Sequence, residues 1–125
     1  MKINNFRDLE IWKSGKEIAR EIYKITCAFP KDELFGIVHQ MRKSAISIPS
    51  NISEGFNRYH SKDYIRFLYI SLGSCAELET QIEISSDIGY LPNHTKDDLL
   101  GILERESKMI NSLIVKIKLK DRVRS

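Results

Sequence analysis

Met41-Arg-Lys-Ser-Ala-Ile-Ser-Ile-Pro-Ser-Asn-Ile-Ser-Glu-Gly55 keeps a helical apolar rhythm on both sides of a proline. The stripe that runs through it, Leu34, Val38, Met41, Ala45, Ile48, Ile52 and Phe56, advances by 4, 3, 4, 3, 4 and 4 residues. That spacing puts all seven side chains on one face of a helix. Pro49 falls inside the run, where a proline removes a backbone donor and crowds the preceding turn, at a cost of ~3 kcal/mol or more. An unbroken stripe on both sides predicts one kinked helix over 33–57, with Ser47, Ser50 and Asn51 available to the freed carbonyls.

Three further segments have the same rhythm. Ile11, Gly15, Ile18, Ile22, Ile25 and Phe29 define a helix over about 8–28, with Asp8 as its cap and Phe29-Pro30 as its end. Lys13, Lys16, Glu17, Arg20 and Lys24 fall on its opposite side. Tyr64, Leu68, Ser71, Cys75, Leu78 and Ile82 define a third over 61–88, capped by Ser61 and ended by Gly89 and Pro92. Leu99, Leu103, Glu106, Ile110, Leu113 and Ile117 define a fourth over 95–118, with Thr95 as its cap. Glu106 is the one charged residue on an otherwise apolar stripe. Four helices of similar length with short connections specify an all-α fold, an antiparallel up-down-up-down four-helix bundle with a proline-kinked second helix. With no linker, repeat or low-complexity segment, residues 1–125 are expected to form a single domain with a basic tail at 116–125.

Composition fits a folded soluble protein: 42% hydrophobic and 30% charged residues in 125. No stretch approaches the roughly 18 apolar residues of a membrane span, and Met1–Asp8 lacks the apolar core of a secretory leader. The expected location is the cytoplasm, with no membrane partner. Cys27 and Cys75 form no Cys-x-x-Cys pair, and both are expected to be small core residues on apolar helix faces. The net charge of +3 is unevenly spread: residues 1–60 carry +3, 61–100 carry −4 and 101–125 carry +4.

Catalytic patterns are missing from the chain. None of His39, His60 and His94 follows a glutamate by three residues, so the inward Glu-x-x-His pairs of a di-iron bundle are not formed. No arginine has a histidine five to seven residues downstream, as some helical ribonucleases require, and no phosphate-binding glycine loop occurs. The chain is expected to be no enzyme, with no catalytic residue, cofactor or metal. Glu77, Glu79 and Glu83 are read as partners for a cation rather than metal ligands, with Arg42 pairing across to Glu77 or Glu79 as a structural contact. Ser44 and Ser47 are expected to face Ser71 and Ser74, where small side chains let two helices approach closely.

Two basic groups remain as a candidate nucleic-acid surface. Lys43, Arg58, Lys62 and Arg66 surround the end of the second helix and the start of the third, with Tyr59, Tyr64 and Tyr69 nearby. Lys116, Lys118, Lys120, Arg122 and Arg124 occupy every second position of the tail.

Phe6–Trp12, Gln40–Gly55, Phe67–Ser74, Glu77–Gln81 and Gly89-Tyr-Leu91 together resemble small four-helix bundle proteins encoded in intervening sequences of bacterial 23S ribosomal RNA genes. The resemblance runs from about residue 6 to 115, and its most specific part is the Ser-Ile-Pro-Ser-Asn-Ile-x-Glu-Gly pattern. These proteins are related to the accessory variability determinant of diversity-generating retroelements. The resemblance implies an antiparallel bundle assembling into a ring-like homo-oligomer, a pentamer. Through the retroelement relatives it implies a basic surface that binds nucleic acid and a reverse transcriptase. It supplies no catalytic residues. Two functions are therefore expected: an oligomeric bundle binding structured RNA, such as rRNA, or DNA through its basic surface, or a module docking a reverse transcriptase or ribosome-associated protein.

Overall fold

A computed structural model describes residues 3–124, with side chains described as far as Arg122. Four helices dominate it: α1 (Glu10–Thr26), α2 (Ile37–Phe56), α3 (Ser61–Asp87) and α4 (Asn93–Arg124). The pairings run in opposite senses at every interface. Along α2 and α3, Met41 meets Ser85, Ser47 meets Ser74, and Gly55 lies against Phe67. Thr26 meets Arg42 and Gly15 meets Pro49 between α1 and α2. Ser86 meets Asn93 and Tyr69 meets Lys118 between α3 and α4. The fold is thus all-α, an up-down-up-down four-helix bundle, and among the described residues there is no strand.

The apolar stripes form the core. Ile22, Met41, Ile48, Ile52, Leu68, Leu78, Ile82 and Ile110 are fully buried, each worth roughly 1.5–3 kcal/mol of transfer from water. Packing is most extensive between α2 and α3 and sparsest between α1 and α4. The serines explain the close α2–α3 seam. Ser71 Oγ donates to the Ile48 carbonyl at 2.9 Å, and Ser74 Oγ donates to Ser47 Oγ at 2.8 Å. α2 runs unbroken through a buried Pro49. Beside it, the Asn51 amide donates to the Ser47 carbonyl at 2.8 Å and to Ser47 Oγ at 2.9 Å.

Gly89 ends α3 as expected, by a specific device. Its φ of +85° is the left-handed region where side chains are strained. Tyr90 N–H then reaches back to the Ser85 carbonyl at 2.8 Å and Gly89 N–H to Ser86 at 3.1 Å, the paired bonds of a Schellman motif. Tyr90 packs on Phe29 and donates its hydroxyl to Glu33 at 2.8 Å. The α1–α2 and α3–α4 connections are thereby tied together at one end of the bundle.

The helix starts differ from expectation. Asp8 caps nothing in α1: it closes a 3-10 turn over Phe6–Asp8, itself capped by Asn5, whose side chain accepts from Arg7 N–H. Leu9 flanks α1 without a side-chain cap. Lys31–Glu33 form a second 3-10 turn, and α2 starts only after Gly36, whose φ of −103° and ψ of −120° are not helical. Ser61 is the first residue of α3 rather than its cap, a position held by His60. Thr95 lies inside α4, which starts two residues earlier, directly after Pro92. The acids expected to cap or lead these helices supply charge near the ends, but the chain closes its ends with backbone turns.

Candidate nucleic-acid interface

In an up-down-up-down bundle the start of α1, the end of α2, the start of α3 and the end of α4 share one end. That geometry brings the two basic groups together. Lys118 Nζ donates to the Tyr69 hydroxyl at 3.0 Å and lies over its ring, 5.4 Å from the centroid. The side of α4 that carries Lys118 therefore lies along the early turns of α3, which carry Lys62 and Arg66. Arg58 and Arg66 share the Phe67 ring, with guanidinium carbons 4.8 and 4.5 Å from its centroid. An aromatic ring under two guanidinium groups fixes them while leaving their donors toward solvent. Arg58 also bonds Glu54 at 2.6 Å, a half-exposed pair that reduces the charge it offers. Lys62 and Arg66 form no salt bridge among the described residues.

As far as Arg124 the tail is a regular part of α4. This changes what its alternation means: residues two apart on a helix point about 200° apart. Lys118 and Arg122 thus share the side toward α3. Lys116 turns the other way and lines a groove of about 620 Å³ with Leu9, Glu10, Arg105 and Met109, and Lys120 follows it by one turn. Val123, Arg124 and Ser125 of the expected tail lie outside the described side chains. Lys43 does not join the face either. It lies toward the other end of α2, with Tyr23, Phe35, His39 and Ile46.

Arg42 does not pair with Glu77 or Glu79. Its Nε donates to Thr26 Oγ1 at 3.0 Å, and its guanidinium lies 4.6 Å from the centre of the Tyr23 ring. Residue 42 is on the α1-facing side of α2, and the α2–α3 register sets Met41 level with Ser85 rather than with 75–79. Glu79 instead faces α4. Burial, then Glu104 and Glu83, raise its pKa above the ordinary carboxylate value. Glu77 is exposed. Cys27 is also exposed, just beyond α1, whereas Cys75 is buried and its thiol is pushed up to about 12 by desolvation.

One buried group was visible in the sequence only as an interruption. Glu106 on α4 is fully buried, and among the described residues neither carboxylate oxygen has a hydrogen-bond partner. It lies against α1, where a Cβ on Gly15 would come within 3.0 Å of Oε2 and meet Ile48 and Pro49 at 3.3 and 3.5 Å. Burial pushes Glu106 up to about 7. Ser14 is near enough to offset this slightly without meeting either oxygen in hydrogen-bond geometry. Among the described residues no three His, Cys, Asp or Glu side chains converge as a metal would require, and no helix is long and apolar enough to cross a membrane.

Residues 7–112 match the model of the family described as 23S rRNA-intervening sequence protein. The chain belongs to that family. Among solved structures, it is similar to a crystal structure from Bacteroides thetaiotaomicron described as a protein of unknown function from the S23 ribosomal protein family. The two share 22% identity with a TM-score of 0.77, over 83% of this chain and 94% of that one. At that identity the likeness establishes the shared bundle. Among functionally curated proteins, none is detectably similar in sequence.

Proposed function

We propose that this member of the 23S rRNA-intervening sequence family is a non-enzymatic, oligomeric bundle that binds structured RNA or DNA through phosphate contacts at its basic end. The observation that carries the reading is the Lys118–Tyr69 contact, which joins the cations of α4 to those of α3 on one face. Two clusters separated by half the chain become a single surface with Lys62, Arg66, Lys118 and Arg122 on it. rRNA is the first candidate, given the family description. Titration of an rRNA hairpin across a salt series tests this. If about four phosphates are neutralised, log affinity falls with log salt at a slope of roughly −3 to −4. Arg66→Ala and Lys118→Ala should each flatten the slope by about one, whereas Lys43→Ala should leave it unchanged. No binding to the hairpin or a random duplex at low salt would overturn the proposal.

Self-assembly is part of the same reading. Phe35 is 91% exposed, and Leu34, Tyr23 and Ile46 beside it are all more than 40% exposed. A patch of this kind at the end opposite the basic face suits a neighbouring protein surface, supplied by further copies of the chain or, in the second reading, by a reverse transcriptase or ribosome-associated partner. A closed pentameric ring should scatter light as a particle of about five times the 14.5 kDa chain mass. A monomer at micromolar concentration would exclude the ring.

A further inference from the structure

We infer that Tyr59 is a base-stacking residue that makes the basic end prefer RNA with unpaired nucleotides over continuous duplex. The inference rests on the nucleic-acid reading above and adds the substrate class. The three tyrosines of this region have three different environments. Tyr64 is packed edge-on against Phe56 at 6.0 Å, and burial pushes its hydroxyl up to about 12. Tyr69 is engaged by Lys118. Tyr59 is 95% exposed, and among the described residues its ring meets an aromatic neighbour only edge-on, at His60, 4.9 Å away.

The connection holding Tyr59 is short and anchored on both sides. Asn57 N–H bonds the Ser53 carbonyl and Arg58 N–H bonds Gly55, while Asp63 and Tyr64 N–H groups bond His60. Arg58 precedes Tyr59 and is fixed on Phe67; Lys62 follows in the first turn of α3, one turn before Arg66. An exposed ring flanked by cations offers a flat surface for a base beside donors for its phosphates. Bases inside a duplex have no free face, so the ring adds affinity only where a base is looped out or unpaired.

The test compares an RNA hairpin carrying a loop of four unpaired nucleotides with the same hairpin whose loop positions are abasic. The abasic loop keeps the phosphates and removes the base faces. Wild-type protein should bind the intact hairpin roughly ten-fold more tightly than the abasic one. Tyr59→Ala should lose that difference while binding the abasic hairpin as the wild type does, and Tyr59→Phe should keep it. A Tyr59→Trp variant should show fluorescence quenching on the intact hairpin only. If Tyr59→Ala discriminates between the hairpins as the wild type does, or the wild type does not discriminate, the stacking role is overturned and phosphate binding stands. If neither hairpin binds at low salt, both readings fall.

Discussion

Replacing Glu106 by glutamine should remove most of the fall in stability, about 3 kcal/mol, that the wild type shows between pH 4.5 and neutrality. The sign follows from proton binding. In the unfolded chain the carboxyl titrates near its ordinary value of 4.5, and in the bundle near 7. Between those values the folded state holds a proton that the unfolded state has released, so stability falls as pH rises from 4.5 toward 7. Above 7 the loss is complete and constant. Its size, about 3 kcal/mol, is set by how far burial lifts the carboxyl from 4.5 toward 7. Among the described residues no cation offsets the burial: Ser14 and Gly15 approach the carboxylate from α1, and Cys75 feels its charge from α3. Urea unfolding at a series of pH values measures the effect. Glu79 is raised in the same direction, so a shallow slope should survive in Glu106→Gln. Parallel curves for the two proteins would show that Glu106 is not the source.

Gly55→Ala should destabilise the bundle by about 2 kcal/mol, although alanine is the better helix former by ~1 kcal/mol. A Cβ at Gly55 would lie 2.8 Å from Phe67 Cβ and 3.2 Å from the Tyr64 carbonyl oxygen. Neither atom is the end of a flexible side chain, so α2 and α3 must move apart, and the overpacking, at the upper end of its typical 1–3 kcal/mol, outweighs the propensity gain. Gly73 is the control. It lies in α3 with nothing within 4 Å of its virtual Cβ, and Gly73→Ala should stabilise by about 1 kcal/mol. Thermal unfolding of the two variants should move in opposite directions. Matching shifts would mean that backbone freedom, not helix approach, decides both.

Much of this was legible from residue types and spacing. The 4-3 stripes are the buried faces except at Leu34, which precedes α2 and is exposed; of the serines expected to face one another, Ser74 bonds Ser47 across α2 and α3, while Ser71 bonds the Ile48 carbonyl. Helix ends were less legible because a side chain able to cap competes with backbone turns that periodicity does not register. Asp8, Ser61 and Thr95 are all good cap residues, and none of them caps. Arg42 was misplaced for a related reason. Pairing α2 and α3 about their connection estimates height along the axis but says little about direction around it, and Arg42 points to α1. The same limit hid the composite basic face. Alternate cations in a tail look like one strip, whereas helix geometry divides them and sends Lys118 to Tyr69. Glu106 was the opposite case: one charge on an apolar stripe was a visible irregularity, and only its depth and lack of partners showed how much free energy rides on it.

The bond between Tyr90 and Glu33 has a consequence for approach to a partner. At the end it ties, Asp32, Glu33, Asp87, Asp97 and Asp98 offset Lys24, Lys31 and Lys96, whereas Lys62, Arg66, Lys118 and Arg122 lie toward the opposite end. Positive charge is thus concentrated toward one end of the bundle, although the net charge is only +3. A polyanion exerts a torque on such a body before contact and turns its basic end inward, which raises the fraction of productive encounters at low ionic strength. In the proposed binding mode, orientation in solution as well as attraction at the surface follows from this uneven distribution of charge.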